Sequence, residues 1–278
     1  MIERTDRDMP QRPLRTPLPA TGMIHPSAIV HAGAEVGDEV EIGPYAVIGP
    51  HVRIGPRCRI GPHAVITGHT SIGANNRIYQ FVSLGEVPQD KKFGGEPTRL
   101  EIGDNNVIRE FCTFNCGTVQ DAGVTRVGSE NWIMAYVHLA HDCQVGNHTV
   151  FANNAQLAGH VRVADHAILG GFTVVHQYCH IGAHSITAMG TIVLRDVPPF
   201  VMASDNSARA YGINAEGLKR RGYSSTTITR LRRAYKTLYK SGLTLGEARR
   251  ELARQVEGCP EVQIILDFLA ESRRGIVR

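Results

Sequence analysis

No window of this 278-residue chain approaches the roughly 18 uninterrupted apolar residues that a membrane span requires. The opening MIERTDRDMPQRPLRTPLPATG holds acidic residues and lacks the apolar block of a secretory signal. Both absences predict a cytoplasmic protein with no membrane span. Its Pro and Arg content cannot bury enough apolar area to offset chain entropy, so residues 1–22 are read as a flexible tail. Cysteine is sparse: Cys58, Cys112, Cys116, Cys143, Cys179 and Cys259 include no CxxC pair, which argues for reduced thiols and against structural zinc. Aromatic residues are 6% of the chain and are not interleaved with basic ones. With no recognition motif either, nucleic acid is not an expected partner.

Charge is unevenly distributed. The formal net charge is +4, yet from Lys219 onward there are 14 Lys or Arg against 6 Asp or Glu, leaving the preceding part near −4. A basic end attracts an anionic partner, although a solvated face of a helical bundle has the same composition.

What the chain does have is a period of six. Aliphatic residues recur without a miss at Ile24, Val30, Val36, Ile42, Ile48, Ile54, Ile60, Ile66, Ile72, Ile78 and Leu84. Glycine follows the anchor at 37, 43, 49, 55, 61 and 73. Neither a helix nor an alternating strand has this spacing. A coil of three short strands and 18 residues per turn does, with anchors inward and glycines expected to relieve the corners. The phase continues through Ile102, Ile108 and Phe114, slips by one residue, and resumes from Val127 to Ile181, weakening at Thr187.

The predicted fold class is therefore mainly β: a left-handed parallel β-helix over 23–200, followed by a small α-helical C-terminal domain over 201–278. Segments 85–98 and 115–126 break the period and are rich in turn formers, so they are read as loops extruded from the coil, where binding residues concentrate. The prolines of DVPPF end the solenoid. Three- and four-residue apolar spacing predicts helices near 225–240, 244–257 and 260–272, with Ser or Thr caps and Pro260 suited to a first turn.

Residues 18 apart stack on adjacent coils. His148, His166 and His184 form one such ladder at corner positions expected to face solvent. The stretch VHLAHDCQVG is richer: His138 and His141 accompany Asp142, His141 stacks toward Gly159 and Gln177, Asp142 stacks toward His160, and His176 lies within the next two coils. A histidine near neutral pKa can take a proton from a hydroxyl, and a glycine amide can stabilise an oxyanion. A polar ladder without function and a zinc site, as in hexapeptide-type carbonic anhydrases, account for the same residues.

The hexapeptide run, GEVPQDKKFGGEPTRLEIGDNNVIRE, HLAHDCQVGN, LAGHV, VHQYCHIGAH, DVPPFV and NAEGLKRRGY together resemble the UDP-N-acetylglucosamine O-acyltransferases, which begin lipid A synthesis, over roughly residues 23–278. Simple acetyltransferases of this fold share the hexads but not the first loop or the EGLKRRG segment. The resemblance implies a homotrimer moving an (R)-3-hydroxyacyl chain from the phosphopantetheine of acyl carrier protein to the 3-hydroxyl of UDP-N-acetylglucosamine, with no cofactor or metal. It makes His141 the general base, Asp142 its orienting partner and the Gly159 amide the oxyanion donor. His138, His160 and His176 would line the cleft, Asp90 and Lys92 meet the sugar and phosphate, and Gln177 position the substrate. Asn214, Glu216, Arg220 and Arg221 would meet the nucleotide end, with the residues of one cleft supplied by two subunits. The basic end then suits a diphosphate and an acidic carrier protein.

Two departures stand out. Asn115 and Cys116 replace the His-Arg the family commonly carries before GTVQ, which leaves a 3-amino sugar, giving an amide, as an alternative acceptor. Met189 occupies the position resembling the family's acyl-length ruler. A bulky residue there closes the channel and implies a chain of about ten to twelve carbons, selected by a wall because one methylene is worth only about 0.8 kcal/mol.

Overall fold

The computed structural model describes residues 22–278. The expectation of a flexible tail falls, apart from Gly22, outside the described residues. From Ile29 the chain winds into three parallel sheets of short strands. Sheet one starts with Ile29–Val30 and has nine strands, sheet two starts with Glu35–Val36 and has eight, and sheet three starts with Glu41–Ile42 and has ten. Most strands pair with the strand 18 residues on, as Val47 with Val65 and Glu41 with Arg59. The hexad anchors point inward, and Ile42, Ile48, Ile66, Leu84, Ile108, Phe114, Leu139 and Leu157 are fully buried. Ile24, on the open first coil, remains 46% exposed.

The register explains the slip in the sequence period. Ser83 pairs with Thr113, thirty residues on, and Thr113 pairs with His138, twenty-five on. The first insertion adds two hexads and keeps the phase, whereas the second adds one hexad and one residue. Both insertions leave from sheet one and return to sheet two, so they emerge at the same corner of the prism. Their outer residues belong to strands Ser83–Glu86, Thr113–Asn115 and Val124–Val127, which trims the extruded loops to 87–98 and 116–123.

The glycines act differently from the sequence reading. None of Gly37, Gly43, Gly49, Gly55, Gly61 or Gly73 has a positive φ. The left-handed corner is taken instead by Glu39, Tyr45, Arg57, His63, Asp142 and His160, among others. That conformation costs an L-residue about 1–2 kcal/mol, offset in part because the corner N–H donates to the coil beneath, as Arg57 to Asp38 at 2.8 Å and His160 to His141 at 3.0 Å. Glycine is required by contact between coils: a Cβ on Gly55 would stand 2.6 Å from the Gly73 carbonyl carbon.

Past the prolines, Val201–Ser204 and Arg209–Ile213 still belong to sheet three, the second running antiparallel, so the helices begin only at Ala215. The helices are α1 (Ala215–Arg220), α2 (Ser225–Tyr239), α3 (Leu245–Gln255) and α4 (Val262–Glu271). Ser224 caps α2, a Thr244–Glu247 capping box starts α3, and Pro260 lies just ahead of the N-cap Glu261 of α4. Leu218, Leu231, Leu252, Val262 and Leu269 form a second core over Phe200 at the end of the coil. Among the described residues no helix is long and apolar enough to cross a membrane. All six cysteines are buried and unpaired with each other, and burial pushes the Cys112 thiol up to about 12.

Candidate active site

The corner between sheets one and two collects the chemistry. His141 follows strand His138–Leu139, and Asp142 occupies the left-handed corner with φ 61°. His141 Nδ1 lies 2.9 Å from Asp142 Oδ2, which places the Nδ1 proton in that bond and leaves Nε2 as the acceptor. Asp142 is 2% exposed. The second loop surrounds its carboxylate: Thr118 N–H donates to Oδ1 at 2.8 Å and the Thr118 hydroxyl to Oδ2 at 2.6 Å. The Asp142 N–H donates to the Thr125 hydroxyl at 2.8 Å. Burial works against ionisation of Asp142, but the bonds from His141 and Thr118 outweigh it and hold the carboxyl below its ordinary range.

One coil on, Gly159 is buried against the imidazole, and a Cβ there would stand 2.5 Å from His141 Cε1 and 2.6 Å from Nε2. His160 crosses His141 edge-on at 5.0 Å and stacks on Tyr178 at 4.4 Å. Its Nδ1 lies 2.8 Å from Asp121 Oδ2, and its Nε2 lies 3.7 Å from Asp142 Oδ2. His138 Nδ1 bonds the Thr113 hydroxyl at 2.7 Å, and burial lowers its pKa. His176 is exposed, and Gln177 beside it is half-buried. One donor atom each from His141, Asp142 and His160 lie within 4.8 Å of one another, a set that can hold a metal ion. Within this set His141 Nδ1 is hydrogen-bonded to Asp142, while His160 Nδ1 is bonded to Asp121 outside it.

The period-18 ruler thus brings together His138, His141, Asp142, Gly159, His160, His176 and Gln177. Asp90 and Lys92 project at the same corner in the first loop, where Lys92 N–H donates to Asp90 at 3.0 Å. Asn115 and Cys116 are buried at the loop bases. The Asn115 amide donates to Val87 O at 2.8 Å, and the Cys116 thiol to Gly85 O at 3.3 Å. They join one loop to the other.

Four other residues lie elsewhere. Asn214 caps α1, accepting from Gly217 N–H at 3.1 Å, and donates to His184 O at 3.0 Å. Arg221 donates to His166 O at 2.9 Å. With Glu216 and Arg220 on α1, the group sits at the corner between sheets two and three. Here the His148–His166–His184 ladder stacks at 4.8 and 4.7 Å. The solvent-facing reading of this ladder fails at His184, which is 9% exposed because Tyr223, Phe200 and Asn214 close over it. Burial lowers its pKa to about 4. Met189 stands at the third corner, between sheets three and one, and is 78% exposed.

Sequence reasoning missed Thr118, Asp121 and Thr125. Thr118 and Asp121 sit on the extruded part of an aperiodic loop, where counting by 18 does not reach. Thr125 lies on the strand that follows it.

Comparison with known proteins agrees with this architecture. The family described as UDP N-acetylglucosamine O-acyltransferase, domain 2, matches residues 196–277, and bacterial transferase hexapeptide repeats match 33–68, 51–86 and 125–159. An acyl-(acyl-carrier-protein)–UDP-N-acetylglucosamine O-acyltransferase of Thiobacillus denitrificans is 63% identical over 203 residues, covering 73% of this chain and 79% of that one. The solved UDP-N-acetylglucosamine O-acyltransferase of Moraxella catarrhalis is 46% identical, with a TM-score of 0.90 over 92% of this chain and 99% of that one. The Francisella novicida UDP-N-acetylglucosamine acyltransferase is 40% identical, with a TM-score of 0.90 over 92% and 94%. On that identity and coverage, the chain belongs to the UDP-N-acetylglucosamine O-acyltransferase family.

Proposed function

We propose that this protein transfers an (R)-3-hydroxyacyl chain from acyl carrier protein to the 3-hydroxyl of UDP-N-acetylglucosamine, with His141 as general base. The observation that carries the mechanism is the His141–Asp142 pair packed against Gly159. Asp142 fixes the His141 tautomer, so Nε2 accepts the sugar hydroxyl proton as the oxygen attacks the thioester carbonyl. The Gly159 amide supplies a donor to the developing oxyanion. Among the described residues its N–H has no hydrogen-bond acceptor. Collapse of the tetrahedral intermediate expels the phosphopantetheine thiolate, which receives the proton from His141. No protein-bound cofactor enters these steps.

The three groups attributed to one cleft occupy three different corners of a single prism. That separation supports a homotrimer in which His141 of one subunit faces Asn214, Glu216, Arg220 and Arg221 of another. Arg221 keeps a buried guanidinium nitrogen, Nη1, without a partner among the described residues, suited to a phosphate oxygen. The edge carrying Met189 also presents a stacked row of Tyr45, His63, Phe81, Phe111 and Tyr136, its four phenyl and phenol rings 42% to 60% exposed. Such a patch suits burial against another subunit. The same reading places its site of action in the cytoplasm.

The test is a reaction of purified protein with a panel of 3-hydroxyacyl carrier proteins and UDP-N-acetylglucosamine, with the 3-amino analogue in parallel and products identified by mass. An ester on the hydroxyl sugar is expected. Product from the amine alone would reassign the acceptor, and product from neither would refute the transferase reading.

A further inference from the structure

The second loop touches the site at two points, and only one belongs to the Asp142 pair. Thr118 holds Asp142, while Asp121, itself half exposed, reaches back to His160 Nδ1 at 2.8 Å. The His160 side chain is only 8% accessible and is confined by Tyr178 on one face and the edge of His141 on another. Its Nε2 stands 3.7 Å from Asp142 Oδ2, beyond hydrogen-bond length. Oδ2 already accepts from His141 Nδ1–H and from the Thr118 hydroxyl. A second imidazole is thus held near the carboxylate that orients the base without being bonded to it.

We propose that Asp121 is a positioning residue of the acceptor site: its carboxylate holds His160 through Nδ1–H, reserves Asp142 for His141, and leaves the His160 Nε2 edge for the bound nucleotide-sugar. The inference rests on the transferase reading above. Without Asp121, the Nδ1–H loses its acceptor, and the ring gains reason to turn toward Asp142, in competition with His141. The loop would lose one of its two anchors at the same time and keep the other, Thr118 on Asp142. The other charged or titratable groups of the adjoining groove are Arg126, Arg162 and His180 on sheet two, Asp196, and Glu271, Arg273 and Arg274 near the C-terminus; among the described residues none of them makes an ion pair or hydrogen bond with His160.

The test compares the parent with Asp121→Ala and Asp121→Asn, each alone and with His160→Ala. The readouts are kcat/KM, calorimetric affinity for UDP-N-acetylglucosamine, and melting temperature. Asp121→Ala is expected to lose at least roughly tenfold in kcat/KM and affinity, the scale of a hydrogen bond to a charged group, with little change in melting temperature. Asp121→Asn keeps an oxygen acceptor and should recover most of the loss. In the His160→Ala background, Asp121→Ala should change affinity less than about twofold, because the residue acts through His160. Parental behaviour of Asp121→Ala overturns the proposal, as does a full loss persisting without His160, or an Asn variant as impaired as the Ala variant. The parent is the control: if it makes no product, the transferase reading fails. If it does and Asp121→Ala is unaffected, only the role of Asp121 fails.

Discussion

Gly159 and His141 are in contact so close that a single methyl group on Gly159 would stand 2.5 Å from the imidazole Cε1. The glycine therefore defines the position of the ring as well as offering its amide. Gly159 has no positive φ, so alanine is tolerated by the backbone and the clash falls on the ring. Gly159→Ala is expected to keep the fold and lose roughly 10²-fold in kcat, the effect of a displacement near 1 Å. Parental kcat would show that the ring yields without cost.

Thr118 should set the ionisation of Asp142. Thr118→Val removes the hydroxyl at 2.6 Å but keeps the N–H bond. With one of the bonds that lower its pKa gone, Asp142 protonates at a higher pH, and the acidic limb of the kcat/KM profile should move upward. An unmoved limb would separate that hydroxyl from the ionisation governing turnover.

Met189→Gly tests the acyl-length assignment. Removing the side chain should shift preference toward longer 3-hydroxyacyl carrier proteins in a competition assay. An unchanged chain profile would place the limiting wall elsewhere.

His184 contributes a defined pH dependence to stability. Burial sets its folded pKa at about 4, below the ordinary 6.5, so the unfolded chain takes up the proton first as pH falls. The stabilisation is complete above about 6.5 and is lost as pH drops toward 4. His184→Phe preserves a ring in the stack and removes the titration. Between those pH values the parent's melting temperature should fall more steeply than the variant's, and parallel curves would contradict the assignment.

The coil and the pairing of His141 with the next two turns were legible because one number, 18, fixes which side chains stack. That count links His141 to Gly159 and Asp142 to His160 from the sequence alone. It does not reach Thr118 or Asp121, whose positions depend on the path of a loop without a period. Nor does it reveal that His184 is covered, since Tyr223 and Asn214 arrive from the helical segment far along the chain. Sequence spacing marks the corner for the glycines, while only the stacked backbones show that contact between coils, and not a positive φ, excludes a Cβ. The three corners holding Met189, His141 and Asn214 could be separated only once strands were assigned to sheets.

The most direct test of the mechanism is His141→Ala, assayed for acyl transfer to UDP-N-acetylglucosamine and, in parallel, for binding of the nucleotide-sugar by calorimetry. The account predicts that binding persists while turnover is abolished; near-parental turnover would remove His141 from the reaction.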